Sequence, residues 1–209
     1  GVILGLYTGS HRNGWSRFIL SASLLGVSMP TFMLGLLGIF LFSVHLGWLP
    51  ASGRPGTIDV GWWTTSLLTL DGWRGILMPA MTLAVFNLGL YVRLVRAEVL
   101  EIRTTDYIKF ARARGLSEAD INRHHVLPNA LSPLINVAAL NIGTMIAFSL
   151  ITESVFQWPG LGLMFVNAIG FSDFPVMAAY FMLVALMFVI LNLIADVLLV
   201  VVDPRLRRG

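Results

Sequence analysis

Long stretches almost free of Asp, Glu, Lys and Arg set the strongest limit on what this chain can fold into. An apolar segment at 18–46 lies in a charge-free run from Phe18 to Gly53; further runs are Gly75–Val92, Pro128–Thr152 and Phe174–Val202, the last containing only Asp196. Each is near or above the roughly 18–20 residues an α-helix needs to cross about 30 Å of hydrocarbon. Buried helices of a soluble domain can imitate one such run, but not four in 209 residues. Composition agrees: 12% of residues are charged and 56% hydrophobic, against about 25% charged in a soluble domain. So little polar surface cannot solvate a compact particle. The expected fold is all-α, a polytopic transmembrane helical bundle, with residues 1–209 forming a single domain. It would hold four full spans, at 18–46, 75–92, 128–152 and 174–202, plus a partial one at 1–8. Residues 1–8 lack the charged n-region and small-residue cleavage site of a signal peptide and read as the tail of a membrane helix.

Orientation follows from where Lys and Arg fall. The connection 93–123 carries seven: Arg93, Arg96, Arg103, Lys109, Arg112, Arg114 and Arg123. Arg12 and Arg17 precede the first full span, and Arg205, Arg207 and Arg208 end the chain. The alternate connections hold only Arg54 and Arg74. Twelve cations on one side against two on the other make the twelve-cation side cytoplasmic, together with the C-terminus. The net charge of +3 is therefore a topological signal, and no nucleic-acid partner is expected.

Chemistry-bearing patterns are sparse. There is no Cys, which removes disulfides, thiolate zinc sites and thiol nucleophiles. No phosphate-binding Gly-x-x-x-x-Gly-Lys-Ser/Thr, no His-Glu-x-x-His and no Gly-x-Ser-x-Gly occurs. Of His11, His45, His124 and His125 only the last two are adjacent, and neighbours on a helix point different ways. No metal site, cofactor or catalytic residue is expected in this chain. Asp196 reads as structural, with proton coupling as the alternative. Glu153 ends its span and either serves the outer mouth or is an ordinary helix-end carboxylate. Ser28, Thr31, Asn87, Asn136, Asn141, Thr144 and Ser149 either line a path or join helices by hydrogen bonds. Pro30 should kink the first full span, with Ser28 or Thr31 serving the freed carbonyl. Trp48, Trp62 and Trp63 read as an interfacial belt.

Most of the information sits in 93–127, a connection far longer than is needed to join two helices. Thr104, Thr105 and Asp106 offer N-cap oxygens to a short helix through Tyr107 and Arg114. Gly115 should end it in the left-handed conformation. Ser117 then faces Asp120 in a capping-box arrangement that starts a second short helix. Tyr107, Phe110, Ala111 and Leu116 are its apolar contacts. Such a pair can rest in lipid headgroups or dock a soluble partner, small Ala111, Ala113 and Gly115 allowing close approach.

The loop resembles the cytoplasmic motif of ABC-importer permeases, in which Ala is followed four residues on by Gly and later by Leu-Pro, here Ala111, Gly115, Leu127 and Pro128. Lys109, Phe110 and His125 depart from the general motif. Asp106-Tyr107, Ala111-Arg112-Ala113-Arg114-Gly115-Leu116-Ser117 and His125 with Asn129-Ala130 are similar to its peptide-importer branch. Leu49–Gly53 resembles the outer loop of the first permease subunit in dipeptide and oligopeptide systems. Thr152–Gly162 resembles the family's outer motif, and Asp196 with Val202-Asp203-Pro204-Arg205 its C-terminal ending. The likeness runs over the whole chain and corresponds to the C-terminal two-thirds of such subunits.

That resemblance implies a type I ABC-importer permease fold in a bacterial plasma (inner) membrane. It implies a peptide-import role beside a second homologous permease, two cytoplasmic ATPase subunits that bind ATP and Mg, and an external substrate-binding protein. Docking and coupling residues carried over from the motif are Asp106, Tyr107, Ala111, Arg112, Ala113, Gly115, Leu116 and Ser117. An autonomous secondary transporter or channel is the alternative. It should show ionisable residues in several spans, broken helices or a filter-like loop.

Overall fold

The computed structural model describes residues 1–202, with the side chains at 132, 136, 139, 195 and 198–202 excepted. Asn136 as a path-lining candidate, Asp203-Pro204 and the basic tail thus lie outside the described residues. Helix α1 spans Val2–Ser10 and α2 Gly14–Ser28. Helix α3, Thr31–Gly38, continues as a wider π-wound segment, Ile39–His45. Two three-residue strands follow, β1 (Ile58–Val60) and β2 (Trp63–Thr65). Then come α4 (Leu70–Thr104), α5 (Asp106–Ala113), α6 (Glu118–Ile121) with a π-wound extension Asn122–Val126, and α7 (Leu127–Val155). Helices α8 (Leu161–Gly170) and α9 (Phe174–Val202) complete the described chain.

Among the described residues, α4 and the segments Pro133–Val155 and Phe174–Ile194 are each long and apolar enough to cross a membrane. The pair α2 and α3 makes a fourth crossing if it is one broken span. The kink expected at Pro30 is a complete break: α2 stops at Ser28, and the Pro30 carbonyl accepts from Met33 N and Leu34 N to open α3. Proline has no N–H to continue the first helix, and its fixed φ suits the entry of the next. Ser28 Oγ donates to the Leu24 carbonyl at 2.8 Å. Helix α4 continues past the apolar run through Arg93, Arg96 and Arg103; its 35 residues span about 50 Å, more than the hydrocarbon needs.

The chain divides into two compact units. The first takes in 1–28, 86–142 and the described residues from 189 onward. Its α1 and α4 meet along a glycine seam. A Cβ on Gly5 would fall 2.4 Å from Val95 Cβ, and one on Gly9 2.6 Å from Val99 Cγ1. Four-residue spacing on both helices brings small residues against a matching ridge, so that the backbones nearly touch. Below the seam, Val95, Val99 and Ile102 continue into a buried cluster with Ile108, Ala111, Ile121, Val126, Ala130 and Leu134. Asn141 Nδ2 of α7 donates to Asn87 Oδ1 of α4 and, at 3.3 Å, to the Tyr91 hydroxyl. Asn87 and Asn141 therefore tie helices together.

The second unit takes in 29–85 and 143–188. It holds a small hairpin that an all-α expectation leaves out: Ile58 pairs with Thr65, Asp59 with Thr64 and Val60 with Trp63, antiparallel. The β-branched and aromatic residues around Gly61 favour it. Trp62 sits at the turn, 96% exposed. Buried Phe156 accepts from Gly53 N through its carbonyl, at 2.9 Å.

Candidate functional site

The basic loop folds as a helix, a glycine turn and a second helix. Asp106 lies in the first turn of α5, where the helix dipole favours a carboxylate. Lys109 Nζ donates to it at 2.8 Å, and that hydrogen bond, with the ammonium charge, holds the Asp106 carboxyl below its usual range. The threonines do not cap α5 through their side chains. Thr104 Oγ1 donates to the Glu101 carbonyl and Thr105 Oγ1 to that of Ile102, closing the end of α4 instead.

Helix α5 has two distinct faces. Ile108 and Ala111, three residues apart, are buried in the cluster with α4 and α7. Tyr107 is 44% and Phe110 64% exposed, and the Arg114 guanidinium sits 5.8 Å from the Phe110 ring centroid. At the end of α5, Gly115 adopts φ +80°, donating to the Arg112 carbonyl at 2.9 Å, while Leu116 N donates to that of Ala111 at 3.3 Å. This double bond pattern is the common glycine termination of a helix. Ser117 then caps α6: Asp120 N donates to its Oγ at 3.1 Å, and that hydroxyl donates to Asp120 Oδ2 at 2.6 Å.

One carboxylate fastens the turn. Arg112 Nε donates to Glu118 Oε1 at 2.7 Å, and Arg103 Nη2 donates to Glu118 Oε2. The Arg112 hydrogen bond and the nearby Arg103 charge together outweigh desolvation and hold the Glu118 carboxyl below the ordinary glutamate range. Arg103 also donates to Asn122 Oδ1 at 2.9 Å, which accepts from Ser10 Oγ at 3.3 Å. A polar chain thus runs from α5 through α6 to the ends of α4 and α1.

The eight motif residues therefore separate by role. Tyr107, Ala113 and Leu116 are exposed, Asp106 and Ser117 start helices, Gly115 turns the chain, Ala111 faces inward, and Arg112 is turned onto Glu118. The motif omits Ile108, Arg103, Glu118 and Asn122. The 108/111 spacing signals the buried face; the other three partners are six or more residues away and carry no local signal. Among the described residues no cluster of three or more His, Cys, Asp or Glu side chains is arranged to hold a metal ion.

In the second unit, Glu153 Oε2 accepts from Gly162 N at 2.8 Å and Leu163 N at 3.1 Å. It caps α8, the structural alternative for that residue. Asp196 is exposed on α9.

Several helices long and apolar enough to cross a membrane, with an ordered basic helix-turn-helix between α4 and α7, define a polytopic membrane protein by class. Residues 1–208 match the family described as binding-protein-dependent transport system inner membrane component, and the chain belongs to it. It is 37% identical, over 99% of its length and 64% of the relative, to a di/tripeptide transport system permease protein of Pseudomonas aeruginosa (strain UCBPP-PA14). It is 34% identical, over 99% of its length and 63% of the relative, to a glutathione transport system permease protein of Escherichia coli (strain K12). The chain spans somewhat less than two thirds of the length of these curated relatives. Its fold matches that of a chain of the inward-facing MetNI methionine ABC transporter, with TM-score 0.73 at 21% identity over 97% of this chain and 86% of that one. The type I ABC-importer permease fold is thereby established, and the chain is an integral membrane protein of that family.

Proposed function

We propose that this chain is a permease subunit of an ATP-driven importer for di- and oligopeptides in a bacterial inner membrane, with its basic loop and C-terminus cytoplasmic. It works with a second homologous permease, two ATPase subunits and an external binding protein. ATP and Mg are bound and hydrolysed in the ATPase subunits, and α5 docks into a groove of one of them. The twelve-to-two distribution of cations supports the orientation, and the names of the relatives support a peptide cargo.

The observation that carries this reading is the division of α5 into a fastened face and an open one. Ile108 and Ala111 are locked against α4 and α7, while Tyr107, Phe110 and Leu116 are exposed beside Arg114. Aromatic residues and Arg are the side chains that dominate protein interfaces. A close-packed underside does not compress, and the Arg112–Glu118–Arg103 bridge braces the turn. A push on α5 therefore reaches α4 and α7 instead of being absorbed in the loop.

Site-directed cross-linking tests it, since the chain has no native cysteine. In the assembled complex, Phe110→Cys should cross-link to an ATPase subunit with a yield that changes when nucleotide is added. Trp62→Cys on the hairpin should give no such product. Cross-linking from position 62 and none from 110 overturns the assignment.

A further inference from the structure

A basic cavity at the junction of α1 and α2 has no part in the docking of α5. It encloses about 270 Å³ and is lined by His11, Arg12, Asn13, Ser16, Arg17, Leu20 and Arg96. Three of these carry guanidinium groups, and no carboxylate lines it. Among the described residues Arg12 and Arg17 form no ion pair. Arg96 is held by donating through Nη1 to the Thr8 carbonyl, which also accepts from Ser16 Oγ at 3.2 Å. A guanidinium has five N–H donors, so Arg96 is fixed in place with donors to spare.

The surroundings specify the kind of anion. In the same turns of α2, though not lining the cavity, Trp15 and Phe18 pack edge to face at 6.0 Å, 69% and 63% exposed. Trp in that setting marks the headgroup level of a bilayer. The cavity's one apolar wall is Leu20, and α2 continues with exposed Leu24 and Leu25. Cations, interfacial aromatics at the same level and an apolar helix continuing beyond them match a phosphodiester headgroup with its acyl chains. Basic pockets between membrane helices bind anionic headgroups on these grounds. We infer that this cavity holds the headgroup of an anionic phospholipid, with Arg12, Arg17 and Arg96 on the phosphate and the acyl chains along Leu20, Leu24 and Leu25. This site is separate from the docking helix and does not rest on the identity of the cargo.

The test uses the full-length subunit assembled with its partners in nanodiscs. The discs contain phosphatidylcholine, with or without an equal amount of phosphatidylglycerol, and a trace of a photoactivatable analogue of either lipid. The phosphatidylglycerol analogue should cross-link within residues 11–25 and the phosphatidylcholine analogue should not. Unlabelled phosphatidylglycerol should compete, and inorganic phosphate should not. Arg12→Gln with Arg17→Gln should weaken labelling roughly 30-fold, from the usual contribution of two cations at an anionic surface. Equal labelling by both analogues overturns the proposal. Competition by inorganic phosphate as strong as by lipid makes the cavity a free-anion site and overturns it too. Loss of ATPase subunits from the variant with lipid labelling unchanged makes it a protein contact, again overturning it. If the double variant does not assemble, the labelling map and the competition series on the native protein decide alone.

Discussion

Arg112 and Glu118 are joined at 2.7 Å across the Gly115 turn, so the last turn of α5 is tied to the first residue of α6. The pair is part of a brace, because the second oxygen of the same carboxylate is held by Arg103, whose side chain is only 18% exposed. Exposed ion pairs are weak singly, and shared networks anchored on a half-buried Arg are the stronger kind.

The Glu118 carboxyl is held below its ordinary value, so its contribution to the turn is present above the unfolded value and is lost as pH falls through the folded one. A nitroxide at Ala113 should become more mobile on acidification through the lower end of the carboxylate range. In Glu118→Gln the label should already be mobile at neutral pH and respond little to acid. An equally immobile label in Glu118→Gln would dismiss the brace.

Gly115 has φ +80° and open space where a Cβ would stand. A substitution there is opposed by backbone conformation alone, about 1–3 kcal/mol for a β-branched residue. Gly115→Val should reduce peptide uptake with normal membrane insertion, and Gly115→Asn, which tolerates the left-handed region, should retain most of it. Uptake assays normalised to the amount of membrane protein will separate the two.

The two faces of α5 should part company on mutation. Ile108→Ala removes a fully buried side chain and should cost about 2–5 kcal/mol, lowering the unfolding temperature of the detergent-solubilised complex. Phe110→Ala removes an exposed ring and should leave that temperature unchanged while reducing co-purification of the ATPase subunit. Equal thermal losses would place Phe110 in the core.

Glu153→Ala should free the amide groups of Gly162 and Leu163 and weaken α8 by about 0.5–2 kcal/mol. Glu153→Gln keeps an acceptor oxygen and should lose less. Amide exchange at 162 and 163 reads the difference directly.

Filling the α1–α4 seam with Gly5→Leu should destabilise the subunit by about 1–3 kcal/mol or more, since Val95 stands where the new Cβ must go. Gly14→Ala, where no atom beyond the local backbone lies within 4 Å of the added Cβ, is the matching control. Thermal denaturation in detergent compares them.

Much of this architecture is legible in the amino-acid order, for identifiable reasons. Hydrocarbon excludes charge, so charge-free runs expose the long helices; a left-handed helix end all but requires glycine, so Gly115 announces the turn. Other features are not legible from such signals. Hydropathy averages over a window and passes smoothly across Met29-Pro30, where the helix stops completely. Trp62 and Trp63 have the composition of an interface, and only the pairing of Val60 with Trp63 and of Ile58 with Thr65 reveals a hairpin. Arg112 looks like a surface cation because its partner Glu118 is six residues away around a turn. Residues 1–8 read as the tail of a membrane helix, but nothing in the amino-acid order says that Gly5 and Gly9 lie against Val95 and Val99, some 90 residues away.

The seam between Gly5 and Val95 also sets an order of events during biosynthesis. Its two halves lie roughly 90 residues apart, which at ~5–20 residues per second means a wait on the order of 5 to 20 s. Throughout that interval the glycine-faced segment has been made and its ridge has not. A bare strip of glycine backbone attracts any helix with small residues at the same spacing. The newly made protein thus passes through a period in which neighbouring chains, or the insertion machinery, compete with its own α4 for α1.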